Sequence, residues 1–311
     1  MSLTIGVDVG GTKIAAGVVD EKGVIGQRVR RTTPSEDPAA IVATIVAVIN
    51  DLADGHEVDA VGVGSAGFVD SGRSKVMFAP NLAWRDVHVR DQVAEATGLP
   101  TVVENDANAA AWGEFRFGAA EDVDDMVLLT IGTGVGGGVV LGGEIYRGAH
   151  GVAGEMGHLR VVPDGHICGC GLKGCLEAYA SGTALVREAR TAASLPSAAR
   201  ILTLAGGDPQ SITGPMITAA AAEGDDLAIV LLTQLARWLG EAMGSFTALF
   251  DPAVFVLGGG VSAAGDLLLA PAEEALRKQI TGRGFRPEPE VRLATLGNDA
   301  GICGAADLAR K

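Results

Sequence analysis

The chain opens on an apolar run, Leu3–Val9, broken only by Asp8, and a Gly10-Gly11-Thr12-Lys13 turn follows. Residues 14–19 read as the returning strand, Glu21-Lys22-Gly23 turns the chain again, and 24–32 gives a third strand. Over 38–53, Ile41, Ile45, Val48, Ile49 and Leu52 recur at helical spacing. Residues 59–65 predict a buried strand, 91–97 a short helix and 101–104 a strand. A helix is expected over 106–117, with Asn105 or Asp106 near its cap.

The pattern then restarts. Residues 126–131 are an apolar strand, Gly132-Thr133-Gly134-Val135-Gly136-Gly137-Gly138 reads as a glycine turn, 139–141 returns, Gly142-Gly143 turns, and 144–147 follows. Both halves thus begin strand, Gly/Thr turn, strand, turn, strand, an internal repeat of pattern rather than of residues. An insertion at 148–182 precedes helices near 183–193, 215–223 and 226–250. A strand over 254–257 ends at Gly258-Gly259-Gly260, and 291–293 and 300–309 give a last strand and helix. We expect a small α/β domain over 1–110, onto which a C-terminal helix at 300–311 packs back. A large α/β domain over 111–299 would carry the loop 157–177.

The length of 311 residues accommodates two cores, and 48% hydrophobic with 20% charged residues describes a folded, soluble chain. The net charge of −14 repels nucleic acid and anionic membranes at long range, so neither is expected as a partner. A phosphate ligand must then be held locally, by backbone N–H groups, helix N-termini or a metal. Asp8 interrupts the apolar start and no cleavage-like segment follows, so no signal peptide is expected. No uncharged apolar run is long enough to span a bilayer, and a cytoplasmic location is expected.

Candidate chemistry concentrates in the insertion. His158, Cys168, Cys170 and Cys175 make a full set of four ligands for tetrahedral Zn²⁺, with glycines between them that let the backbone fold tightly. Cys168 and Cys170 are too close to pair easily, and three thiols leave one over, so a disulfide reads poorly beside structural zinc. Glu155 and Glu177 flank the motif and suggest a functional surface; the plainer reading is a zinc knot that only staples a loop. Cys303 reads as a small core residue.

Three glycine turns follow apolar strands, at 10–11, 132–138 and 258–260. Glycine there lets phosphates approach backbone N–H groups, although tight hairpins use it too. A Walker A loop is absent. The Gly132-x-Gly134-x-x-Gly137 spacing matches a dinucleotide fingerprint but precedes a strand instead of a helix. Asp8, at a strand end beside the first turn, suits an outer-sphere Mg²⁺ partner or a plain turn aspartate. Glu104-Asn105-Asp106 lies between strand and helix, where Asp106 reads equally as a base on a hydroxyl or as a helix cap.

Taken together the chain resembles the ROK family (repressors, open reading frames, sugar kinases) over its whole length. The resemblance rests on Asp8-x-Gly10-Gly11-Thr12-Lys13, Glu104-Asn105-Asp106-Ala107-Asn108, Gly132-Thr133-Gly134-x-Gly136-Gly137-Gly138, Gly154-Glu155-x-Gly157-His158, Cys168-x-Cys170-Gly171-x-x-Gly174-Cys175-x-Glu177 and Leu257-Gly258-Gly259-Gly260. It implies duplicated α/β domains of the actin/hexokinase-like (ribonuclease H-like) fold, closing on ligands in an interdomain cleft. It also implies ATP-dependent phosphorylation of the 6-hydroxyl of glucose, as in the family's actinobacterial members.

On that resemblance Asp106 is the general base. Asn105, Asp106, Glu155, His158 and Glu177 contact the sugar, with Gly67 and Asn81 as weaker backbone candidates. Gly10, Gly11, Thr12 and Lys13, with Gly132, Thr133, Gly134 and Gly136, cradle phosphates beside Asp8. Gly258, Gly259 and Gly260 border the adenosine. His158 would bind zinc through one ring nitrogen and face a sugar hydroxyl with the other. The implied cofactors are ATP, catalytic Mg²⁺ and structural Zn²⁺, with a monovalent-cation requirement left open. The implied assembly is a homo-oligomer, dimer or tetramer. N-acetylglucosamine, N-acetylmannosamine, mannose or fructose could replace glucose, and polyphosphate could replace ATP. A ROK repressor would carry a helix-turn-helix before the first strand; with a strand beginning at Leu3 and an acidic surface, that reading and a silent sugar sensor rank below the kinase.

Overall fold

The computed structural model describes residues 2–311. Leu3–Val9 (β1), Lys13–Val19 (β2) and Ile25–Thr32 (β3) form antiparallel neighbours. Pro38–Ala53 (α1) crosses to Val58–Ser65 (β4), which runs parallel to β1. Phe68–Val69 (β5), Val76–Phe78 (β6) and Arg85–Val87 (β7) make a small antiparallel sheet. Val89–Thr97 (α2) leads to Thr101–Asn105 (β8), parallel to β4, and then to Asp106–Phe117 (α3).

Met126–Ile131 (β9), Val135–Leu141 (β10) and Glu144–Ile145 (β11) reopen the pattern. The helices Glu177–Ala180 (α4), Gly182–Thr191 (α5), Ala199–Leu204 (α6), Gly214–Ala222 (α7) and Asp226–Phe250 (α8) follow. Val254–Gly258 (β12), Asp266–Gln279 (α9), Glu290–Leu293 (β13) and Ala300–Leu308 (α10) complete the chain.

The two large sheets have the orders β3-β2-β1-β4-β8 and β11-β10-β9-β12-β13. Each therefore reads third, second, first, fourth, fifth, and the repeat expected from the pattern of apolar runs is a repeat of topology. The chain divides into two compact units. One comprises Met1–Leu128, Gly138–Gly154 and Thr295–Lys311; the other comprises Leu129–Gly137 and Glu155–Ala294.

In the first unit, strand alternation sends Ile5, Val7 and Val9 to one face of β1. There they join Ile41, Ile45, Val48, Ile49 and Leu52 of α1 in one core. Burying each such side chain is worth roughly 1.5–3 kcal/mol against water. Helix α1 starts where Asp37 caps it, accepting from the N–H groups of Ala39 and Ala40, with Pro38 in the first turn. On the opposite face of the sheet lies α10. Gly62 of β4 lets it come so close that a Cβ there would sit 1.8 Å from Ala305 O. Trp112 of α3 donates through Nε1 to Asp307 Oδ2 of α10 at 2.8 Å, a buried tie between the two helices.

In the second unit, α8 packs on α9, where Leu268, Ala272 and Leu276 are buried at helical spacing. Helix α9 carries Pro271 inside it. No helix among the described residues is long and apolar enough to cross a membrane.

The glycine run after β9 is shorter as a turn than its sequence suggests. Strand β10 begins at Val135, so Gly136, Gly137 and Gly138 lie within it. Gly138 is there for clearance: a Cβ would sit 2.5 Å from Ala111 Cβ and 2.8 Å from Ala107 O on α3. The returning strand is therefore longer than 139–141, and β11 is shorter than 144–147, ending at Ile145. The small sheet β5-β6-β7, α6 and α9 were not expected from the sequence.

Candidate active site

Within the first unit, Asp8 lies on β1 two residues before the Gly10–Gly11 turn, paired with Ala15 and Gly64 on its two neighbouring strands. Gly10 N–H donates to Lys13 O at 3.0 Å, closing the turn. Thr33 holds it from outside, its Oγ1 donating to Gly10 O at 2.7 Å. Gly11 abuts Asn81, where a Cβ would come within 2.9 Å of Asn81 Cβ. One candidate for the phosphate turn and one for the sugar are thus in contact.

Asn105 ends β8 and caps α3, its Oδ1 accepting from Asn108 N–H at 3.0 Å. Its Nδ2 donates to Gly67 O at 3.0 Å and to Asp106 Oδ1 at 3.2 Å. Asn105 therefore takes the capping role, and Asp106, first residue of the helix, is not spent on it. Asp106 Oδ1 also accepts from Ala107 N–H at 2.9 Å. Burial pushes its carboxyl above the usual range, although these hydrogen bonds pull it back. Asp8 is pushed up to about 6, by burial first and then by the Asp106 carboxylate, with Lys13 opposing. Two neighbouring buried carboxylates, one of them raised by the other, have the chemistry of a site that receives a proton or a cation.

Beneath them Glu104 is buried and serves as scaffold. Its Oε2 accepts from Arg147 Nε at 2.8 Å and lies 3.5 Å from Arg73 Nε, while Oε1 accepts from Asn108 Nδ2 and Asn105 N–H, both at 3.1 Å. Neither arginine was singled out from the sequence, because both are remote from the Glu-Asn-Asp motif along the chain.

Within the second unit, His158, Cys168, Cys170 and Cys175 converge, with one ligand atom from each lying within 4.8 Å of all the others. A tetrahedral zinc with Zn–S near 2.3 Å has an S···S edge of about 3.8 Å. Cys170 Sγ and Cys175 Sγ are 3.7 Å apart, and Cys168 Sγ is 3.6 Å from His158 Nδ1. The donor set and its spacing fit the metal. Burial, helped by the neighbouring Cys170 and Glu177 side chains, pushes the Cys168 thiol up to about 12, a cost that a bound cation reverses. With Nδ1 turned to the thiols, His158 Nε2 is left on the other side, 3.9 Å from Glu155 Oε2.

The second glycine turn and the Cys/His loop also meet. Glu177 Oε2 accepts from Val135 N–H at 3.1 Å, and a Cβ on Gly134 would be 2.2 Å from the same oxygen. Gly132 O accepts from Gly182 N–H at 2.8 Å and Thr133 O from Thr183 Oγ1 at 2.7 Å, which ties the turn to the start of α5. The third glycine turn follows β12. Gly259, at φ 84°, passes so near β9 that a Cβ would be 2.5 Å from Ile131 O. Gly258 is buried at the strand end, and Gly260 opens a short 3-10 turn.

Gly132, Thr133 and Gly260 line one cavity of ≈ 970 Å³. Its remaining walls come from α5 (Thr183, Val186, Arg187, Arg190) and from Ile212–Pro215 and Thr218 at the start of α7. The glycine turns were expected to border a nucleotide; the walls supplied by α5 and α7 were missed. Nothing in the local sequence marks them, since they are joined only by folding.

The duplicated sheet order, the glycine turns at strand ends and the Cys/His cluster together define a sugar-kinase-type member of the actin/hexokinase-like class. The chain belongs to the ROK family, whose model matches residues 4–311. It is 49% identical over 313 aligned positions to the glucokinase of Streptomyces coelicolor, covering 100% of this chain and 98% of the relative. A crystal structure of a ROK family glucokinase from Streptomyces griseus in complex with glucose and AMPPNP is 51% identical, superposes with TM-score 0.91 and covers 99% of both chains. A ROK hexokinase from Thermus thermophilus is 38% identical, with TM-score 0.83 over 99% of this chain and 98% of that one.

Proposed function

We propose that the protein is an ATP-dependent glucokinase that transfers the γ-phosphate of ATP to the 6-hydroxyl of glucose, with Asp106 as general base. The observation that carries the base assignment is that Asn105 takes the helix cap. Asp106 is therefore not spent on the cap, and its carboxyl is raised by burial. A positioned base of raised pKa accepts a hydroxyl proton with a gain of roughly 10²–10⁴ in rate. The full-length similarity to glucokinases supports glucose over other hexoses.

The chain's own groups suffice for the remaining roles. Gly10 to Thr12 and Gly132 to Gly136 offer backbone N–H groups to phosphate oxygens. In the second unit Glu155, His158 and Glu177 would offer acceptors and a ring nitrogen to sugar hydroxyls; in the first unit Asn105 and the backbone at Gly67 and Asn81 are the corresponding candidates. A magnesium ion associated with Asp8 would neutralise charge between the β- and γ-phosphates. Zinc held by His158, Cys168, Cys170 and Cys175 would leave no open coordination position, so its role is to order the loop.

The ≈ 970 Å³ cavity favours ATP over polyphosphate as donor. Leu185, Val186, Ile212, Pro215 and Val261 give it apolar walls that suit a nucleoside, beside Arg187 and Arg190. A coupled assay across a hexose panel with ATP and with polyphosphate tests the reading. Glucose 6-phosphate formed with ATP is expected; a preference for another hexose or for polyphosphate would refute it.

A further inference from the structure

The zinc loop touches the phosphate turn at one residue from two directions. Val135 is the first residue of β10, immediately after Gly132-Thr133-Gly134. Its N–H donates to Glu177 Oε2 at 3.1 Å. Its carbonyl is pressed by Gly157, where a Cβ would lie 2.1 Å from Val135 O. Gly157 precedes His158 and Glu177 follows Cys175 by two residues, so the two jaws on Val135 are the two ends of the segment that the ligands close.

We propose that Glu177 is a positioning residue for the nucleotide. Its carboxylate, held in place by the closed Cys/His loop, fixes the Val135 amide and through it the Gly132–Gly134 turn that receives ATP phosphate. This rests on the kinase reading above and extends it, since the loop was expected to serve the sugar. The far side of the turn is already fixed by Gly182 and Thr183. Release of the Glu177 contact therefore frees the one side of the turn that α5 does not hold. A carboxylate accepting from a backbone N–H is a charge-assisted bond, stronger than its neutral counterpart. The second carboxylate oxygen lies 3.3 Å from Cys168 Sγ. Once that sulfur is a metal-bound thiolate it no longer donates, which leaves the oxygen for a sugar hydroxyl. One side chain then reports sugar occupancy to the phosphate turn.

The test is calorimetric titration of AMPPNP without sugar into zinc-loaded wild type, Glu177→Gln, Glu177→Ala and Gly157→Ala, with metal content measured on each. Glutamine keeps an acceptor for the Val135 amide and should stay within about threefold of wild-type affinity, whereas Glu177→Ala should bind roughly tenfold more weakly or worse. Gly157→Ala, whose new methyl displaces Val135 from the other side without removing a ligand or a carboxylate, should show a similar loss. Unchanged AMPPNP affinity in Glu177→Ala overturns the proposal, as does loss of zinc from Glu177→Ala at normal affinity in Gly157→Ala. If the wild type phosphorylates glucose while the variants give either of these results, the kinase reading stands; a wild type that binds no AMPPNP would remove that reading instead.

Discussion

At the scale of single residues, the proposed function gives two aspartates different duties. Asp106→Asn keeps the shape and most hydrogen bonds of the side chain but removes the proton acceptor. A kcat loss on the order of 10² or more is expected, with glucose binding by calorimetry little changed. Near-normal turnover would take Asp106 out of the mechanism. Asp8 makes a prediction about pH. Its folded pKa of about 6 stands above the ordinary 3.8, so the folded protein holds a proton that the unfolded chain releases. The associated stability is complete below about pH 4 and is lost as pH rises through about 6. Asp8→Asn should therefore flatten the fall in Tm of the ligand-free protein across that window, and it should raise the KM for Mg·ATP more than that for glucose. If wild type and variant melt in parallel, the raised pKa assigned to Asp8 is absent. Asp106 and Asp8 were both singled out from strand ends and glycine turns. The choice between cap and base was not open to the sequence, because Asn105 and Asp106 are equally good capping types and only the helix start separates them.

At the scale of elements, the zinc loop carries the sharpest expectation. Cys170 is exposed, so its change to serine opens no cavity in a core, and whatever follows reports the metal. Cys170→Ser should lose about one zinc per chain, expose residues 157–177 to protease and abolish kinase activity. A zinc-free protein of full activity would end the structural-metal reading. The convergence of His158, Cys168, Cys170 and Cys175 was legible because three cysteines and a histidine in a short insertion have few other uses, and the repeat of strand order was legible because apolar runs and glycine turns recur in the same succession. Other elements were hidden for identifiable reasons. The strands of β5-β6-β7 have two or three residues each, too few to show alternation. Helix α9 contains Pro271, which ordinarily ends a helix, although Leu268, Ala272, Ala275 and Leu276 keep the buried face continuous through it. The start of β10 was hidden because the glycine run reads as a turn throughout, although Gly136, Gly137 and Gly138 lie in the strand and Gly138 serves clearance against α3.

At the scale of the molecule, the last helix belongs with the first strands. Ile302 and Ala306 of α10 share a buried cluster with Val19 of β2, and Asp307 closes the hydrogen bond from Trp112. Removing residues 300–311 should therefore unfold the unit that contains β1, moving the emission of the buried Trp84 and Trp112 toward that of exposed indole. Native-like hydrogen-exchange protection over residues 1–128 in the truncated chain would contradict this. The same closure sets an order of events during synthesis. The opening strands are made early yet lack the surface that covers them until residues 300–311 emerge, on the order of 15–60 s later at roughly 5–20 residues per second. Through that interval the glycine-lined face of β1 and β4 stands open as a template for wrong partners. The unit bearing Asp106 thus closes only once residues 300–311 have been made, and chaperone demand should fall on its nascent first half.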